Sequence, residues 1–240
     1  MKSNITKNKT LLSLLLFIVT LSACTEKKTY TSKQVKKIII DGTIDSLWSS
    51  VNWEPIINQK TISHYEDSVD FNVKFKSIWN NEGIYFLFSI KDDSLFDISK
   101  LKYSSDIPSY DETDCISIFL AYDSIRRIDF IRSANDTIIS NKYNDIKCVI
   151  KKYAFNKILE IKIPWNFIIG DSFHSNIKSI PIEIYAFDND NDATKGCFVV
   201  EEILLGIYKM HRTVLSWSED KNEMNANLDK KHFGNLRLMP

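Results

Sequence analysis

The stretch Asp70–Ile90, DFNVKFKSIWNNEGIYFLFSI, constrains the fold more than any other. Phe71, Val73 and Phe75 alternate with Asn72, Lys74 and Lys76, the period of two of a strand with one buried face. The cluster Asn80-Asn81-Glu82-Gly83 breaks the alternation, and Gly83 is free to take a positive φ there. From Ile84 to Phe88 every residue is apolar, and Ile90 extends the run. A strand apolar on both faces needs cover on both, so it is expected at the centre of the structure. The two segments predict a hairpin beside which the other strands are laid. Their β-branched and aromatic content argues against a buried helix.

Further short strands are predicted along the chain. They are Ile116–Ala121, Arg127–Arg132, Thr137–Asn141, Lys147–Tyr153, Ile158–Ile163, the run around Ile182–Ala186, Phe198–Leu205, Thr213–Trp217 and Phe233–Leu238. Pro164 has no N–H for a ladder and suits the first turn of a short helix through Phe167. Ile44, Leu47 and Trp48 fall at helical spacing and predict a single turn that plugs Trp48 into the core. No long repeat is present, which argues against a propeller or solenoid. The pattern predicts an all-β fold, an antiparallel β-sandwich with short single-turn helices.

The N-terminus reads as a targeting segment. Lys2, Lys7 and Lys9 precede the apolar run Leu11–Leu21. That run is shorter than the roughly 20 residues that span a bilayer as a helix. It ends in Leu21-Ser22-Ala23-Cys24, which resembles the bacterial lipobox, whose cysteine becomes the acylated N-terminus. Residues 1–23 are therefore expected to be a lipoprotein signal peptide, 24–34 a tether and 35–240 one domain. The expected location is the cell envelope, membrane-anchored through lipid on Cys24. Cys115, Cys148 and Cys197 remain, an odd number that leaves at least one thiol and matches no zinc spacing.

Composition and motifs exclude more than they assign. The 31 basic and 31 acidic residues balance, and no basic stripe invites nucleic acid. There is no GxSxG, HExxH or P-loop, and His64, His174, His211 and His232 are scattered, so no catalytic residue is assigned. Asp188, Asp190 and Asp192 alternate with asparagines and could offer oxygens to calcium, or form a solvated turn. The sixth position from Asp188 is Ala193 and the twelfth Val199, so the run is not an EF-hand. Sugar rings present apolar faces on which an aromatic side chain can stack, and Tyr110 is the best placed aromatic for a ligand.

Several landmarks together resemble family 9 carbohydrate-binding modules. Asp41-Gly42-Thr43-Ile44-Asp45-Ser46-Leu47-Trp48 resembles the opening DGxxDxxW, and Ile78–Tyr85 the hairpin LWDxxxLY. Asp114–Phe119 is similar to DSVEIF, and Leu159–Trp165 to an amphipathic strand ending in Trp. Leu215–Ser218 and Phe233–Leu238 are similar to the closing segments. The resemblance implies a jelly-roll-like sandwich with structural calcium that binds polysaccharide or oligosaccharide chain ends between two aromatic platforms. It implies that Tyr110 stacks, while Arg132, Tyr185 and Asn225 offer hydrogen bonds. The acid of DSVEIF is replaced by Ser117, Arg132 is offset by one from the family's arginine, and no aromatic stands between Glu219 and His232 for the second platform. The expected function is non-catalytic carbohydrate binding. The alternatives are an interaction lipoprotein that kept the sandwich and lost the sugar site, a haem module using Met210-His211, and a glycoside hydrolase.

Overall fold

The computed structural model describes residues 27–59, 71–92, 113–132, 138–140, 143–153, 156–171, 173, 175–188, 213–218 and 230–240. The strands are β1 (Thr29–Gln34), β2 (Glu54–Ile56), β3 (Asn58–Gln59), β4 (Asn72–Asn80), β5 (Gly83–Lys91), β6 (Cys115–Ala121) and β7 (Ile125–Arg132). They continue with β8 (Ile138–Ser140), β9 (Lys147–Tyr153), β10 (Asn156–Pro164), β11 (Ser179–Asp188), β12 (Thr213–Ser216) and β13 (Gly234–Met239). One helical turn, α1 (Trp165–Ile169), follows β10, and a 3₁₀ turn spans Ser46–Ser50. Among the described residues no helix is long and apolar enough to cross a membrane.

The hairpin forms as the alternation demands. β4 and β5 pair antiparallel from Asn72↔Lys91 to Asn80↔Gly83. The strands continue in the order β8-β7-β6-β11-β13-β1-β4-β5-β10-β9, a sheet that curls into two facing layers. Most neighbours are antiparallel, but β1 lies parallel to both β13 and β4. Contact between the two arms shows the curl. Arg126 on β7 donates to the carbonyl of Phe167 in α1, and its guanidinium lies 5.8 Å from that ring.

The residues of β5 from Gly83 to Ile90 are all buried. Ile84, Phe86, Phe88 and Ile90 point between the layers, with Phe75, Leu159, Ile161 and Ile118. Tyr85 and Leu87 point outward and are covered by Trp48 and Val51. The 3₁₀ turn thus delivers Trp48 as expected, while Ile44 and Leu47 stay exposed. Glu160 on β10 fixes this flap, because its carboxylate accepts from the N–H groups of Asp41 (3.1 Å) and Gly42 (2.8 Å) and from the Trp48 indole (3.0 Å). Burial nevertheless pushes the Glu160 carboxyl up from its ordinary value.

Two expectations change here. Residues 29–34, expected to belong to a tether over 24–34, are instead a strand inside the sheet, with Tyr30 and Ser32 buried. Its polar sequence hid it, since alternate side chains face solvent. Gly83 is not one of the glycines with positive φ, which are Gly42 and Gly170. It is required by a close approach instead, because a Cβ at Gly83 would run into the backbone of Ile163 and Pro164. The expected strand Phe198–Leu205, Cys197 and Met210-His211 lie outside the described residues.

Replacing Gly83 with Ala forces this backbone apart. It is expected to lower unfolding stability by about 2–3 kcal/mol, read as a shift of the urea midpoint at unchanged slope.

Candidate functional site

Strands β7, β6, β11 and β12 lie side by side, and their registers build a grid on the face turned away from the main core. One lateral row is Asp129, Ser117, Tyr185 and Ser216. The next is Arg127, Phe119 and Glu183. On the other side stand Ile131, Cys115, Phe187 and Val214. The polar row therefore runs beside an apolar one.

Side chains on the grid hold one another. The Ser117 hydroxyl donates to Asp129 Oδ1 at 2.5 Å, and Arg127 Nε donates to the same oxygen at 2.8 Å. Arg127 also lies over the Phe119 ring at 5.3 Å, and Phe119 meets Tyr185 edge-on at 5.5 Å. Glu183 Oε1 accepts three backbone N–H groups, from Ile184, Trp217 and Ser218, each at 3.0 Å. Its Oε2 is buried with no partner among the described residues. Burial raises the Cys115 thiol to about 12, so it is a packing residue and not a reactive one.

A second group closes one end of the space between the layers. The core-facing rows of β5, β6, β7 and β11 run apolar to Ile90, Ile116, Phe130 and Ala186. One step further along each row stands a charge, Asp92, Asp114, Arg132 and Asp188. Arg132 pairs with Asp92, and neither side chain has exposed surface. A second guanidinium nitrogen donates to the Phe187 carbonyl at 3.3 Å. Burial opposes the charge on Arg132, but Asp114, Asp92 and Asp188 outweigh it and raise its pKa. Each of the four stands beside a chain segment outside the described residues, namely 93–112, 133–137 and 189–212.

The expected site residues fall in different places. Tyr110, Asn225, Asp190, Asp192 and Cys24 lie outside the described residues. Arg132, expected to reach a ligand, has no exposed surface, because its row is the core-facing one and its charge is committed to Asp92. Tyr185, expected to offer a hydrogen bond, is 3 % exposed and packs against Phe119 and Phe187. Asp188 does not stand only with its neighbours in sequence. It meets Asp92 and Asp114, and the carboxylate oxygens of the three lie within 4.8 Å of one another. Sequence reasoning missed this trio. The signal was a core-facing row that ends in a charge on each strand. The donor set is all oxygen, and three carboxylates outnumber the single guanidinium, so it fits a hard divalent cation.

All five tryptophans are engaged in the fold. The indole N–H groups of Trp48, Trp79, Trp165 and Trp217 donate to Glu160, the Met239 carbonyl, the Asn80 carbonyl and Glu54. Trp53 packs beneath Lys74 and Lys76, each 5.0 Å from its ring.

Two outcomes follow from this geometry. Arg132→Ala strands buried carboxylates without their counter-charge and is expected to cost about 3–5 kcal/mol in urea unfolding, more than Arg132→Lys. Burial is the largest influence on Glu183 and raises its carboxyl pKa. The folded chain thus holds this proton more tightly than the unfolded chain, so the stability linked to it is full below the unfolded value and fades as pH rises through the folded one. In Glu183→Gln that fall should flatten, measured as urea midpoints from pH 4 upward.

Comparison with known proteins agrees with this architecture. Residues 40–202 match the family described as carbohydrate family 9 binding domain-like. A carbohydrate-binding module family 9 from Caldicellulosiruptor kristjanssonii, solved with glucose, superposes with a TM-score of 0.59 at 18% identity, covering 88% of this chain and 95% of that one. The structure of a family 9 module from that organism with cellotriose gives a TM-score of 0.60 at 18% identity, covering 88% and 94%. Among curated proteins none matches the chain. The match spans well over half of the sequence, and the chain belongs to the carbohydrate family 9 binding domain-like family.

Proposed function

We propose that this protein binds carbohydrate without cleaving it, as a lipid-anchored protein of the cell envelope that captures polysaccharide or its fragments. The observation that carries the reading is the family match over residues 40–202, joined to structural neighbours solved with glucose and with cellotriose. The grid of β6, β7, β11 and β12 supplies a rigid mixed floor whose partly exposed acid, Asp129, suits a sugar's hydroxyls. In this reading Tyr110 stacks on the apolar face of a ring and Asn225 bonds its hydroxyls. Arg132 braces the floor from the core side, and Tyr185 packs within the floor against Phe119 and Phe187, instead of touching the ligand.

The acyl chain on Cys24 would hold the domain close to the lipid. Only residues 25–28 separate Cys24 from β1, a reach of roughly 17 Å when fully extended. Asp92, Asp114 and Asp188 would hold calcium, with Asp190 and Asp192 next in the chain. The ion would supply positive charge where segments 93–112 and 189–212 join the sheet.

A second reading, an interaction lipoprotein without a sugar site, draws on one observation. Arg132 and Tyr185 are both committed to the fold. Calorimetry of the full chain in detergent against glucose, cello-oligosaccharides and xylo-oligosaccharides separates the two. Carbohydrate binding predicts saturable heat, and Tyr110→Ala should weaken it about tenfold or more, as loss of one stacking face implies. Chelator should weaken it as well. No heat with any of these glycans, and none gained or lost in Tyr110→Ala, would favour the interaction lipoprotein.

A further inference from the structure

We propose that Asp129 is the charged acceptor for sugar hydroxyls in this protein, supplied by β7 in place of the acid that Ser117 replaces on β6. The inference rests on the carbohydrate-binding reading above and names the residue that gives that site its selectivity.

The register carries it. Ser117 and Asp129 are direct cross-strand partners, so both side chains leave the same face. An acid missing from one strand is thereby restored in space by the adjacent strand, displaced by one strand spacing. Ser117 does not stand empty in that role. Its hydroxyl donates to Asp129 Oδ1, and Arg127 Nε donates to the same oxygen from the other side. These two bonds fix the carboxylate plane and consume one oxygen.

The other oxygen is what a ligand would meet. Asp129 Oδ2 has no partner among the described residues, and the side chain is 26% exposed. Of the two carboxylates on the described grid, Glu183 is sealed and its Oε1 is spent on three backbone N–H groups. Asp129 alone combines rigidity with access. A carboxylate oxygen has two lone pairs, so Oδ2 can accept from two neighbouring hydroxyls of one pyranose ring. Arg127, 28% exposed and held over Phe119, keeps a positive charge beside the carboxylate. The chemical class recognised is an uncharged sugar with a vicinal diol. An acidic sugar would meet like charge here.

The test is calorimetric titration of the full chain with glucose, cellotriose and glucosides lacking one hydroxyl each. Asp129→Asn keeps the shape and the acceptor for Ser117 while removing the charge. It is expected to weaken binding about tenfold to a hundredfold, the range for a hydrogen bond to a charged group. It should also erase the wild-type preference for the intact sugar over one of the deoxy forms. Ser117→Ala leaves the charge and loosens its anchor, with an expected loss of about threefold. If Asp129→Asn binds as wild type does and keeps the deoxy preference, the inference is overturned while carbohydrate binding stands. If Asp129→Asn does not fold, unchanged affinity in Ser117→Ala overturns it. If the wild type binds none of these sugars, both readings fall.

Discussion

Arg132 and Asp92 come from opposite arms of the curled sheet and meet in the space between them, sealed from water. A charge so placed is tolerable only with its partner, so the pair fixes how the two layers close at that end. Asp114 and Asp188 extend the constraint to β6 and β11. The strand ends from which the remaining segments depart are therefore tied to a single electrostatic centre. Whatever those segments carry starts from a fixed base.

The other faces follow from how each layer is covered. β5 is hydrophobic on the outer side as well, Ile158 of β10 adds to it, and the flap bearing Trp48 closes over them, held by Glu160. The grid of β6, β7 and β11 is instead mixed. Its apolar row packs with Val214 and Phe233, while its polar row ends at the partly exposed Asp129. The same strand alternation thus builds an apolar outer face on one layer and a mixed outer face on the other.

Much of this was legible in the residues. The hairpin of β4 and β5, the helical turn after Pro164 and the burial of Trp48 all rest on local periodicity and turn chemistry, which neighbours reinforce. β1 was not legible, because its alternating polar residues look like a tether until β13 and β4 flank it. Arg132 was legible as a landmark and not as a contact. Which way a strand residue points depends on the row it joins, and a one-residue offset exchanges core for surface.

The sequence by itself determined the all-β class, the central strand and the family landmarks, because alternation and turns are short-range properties. Tertiary structure alone decided which distant carboxylates gather around Arg132 and which acid stands beside Ser117. Those are cross-strand relations, set by register between segments far apart in the chain. Asp129 shows the difference. In the sequence it is one charge in a basic stretch, and only the pairing of β6 with β7 turns it toward the face where Ser117 waits.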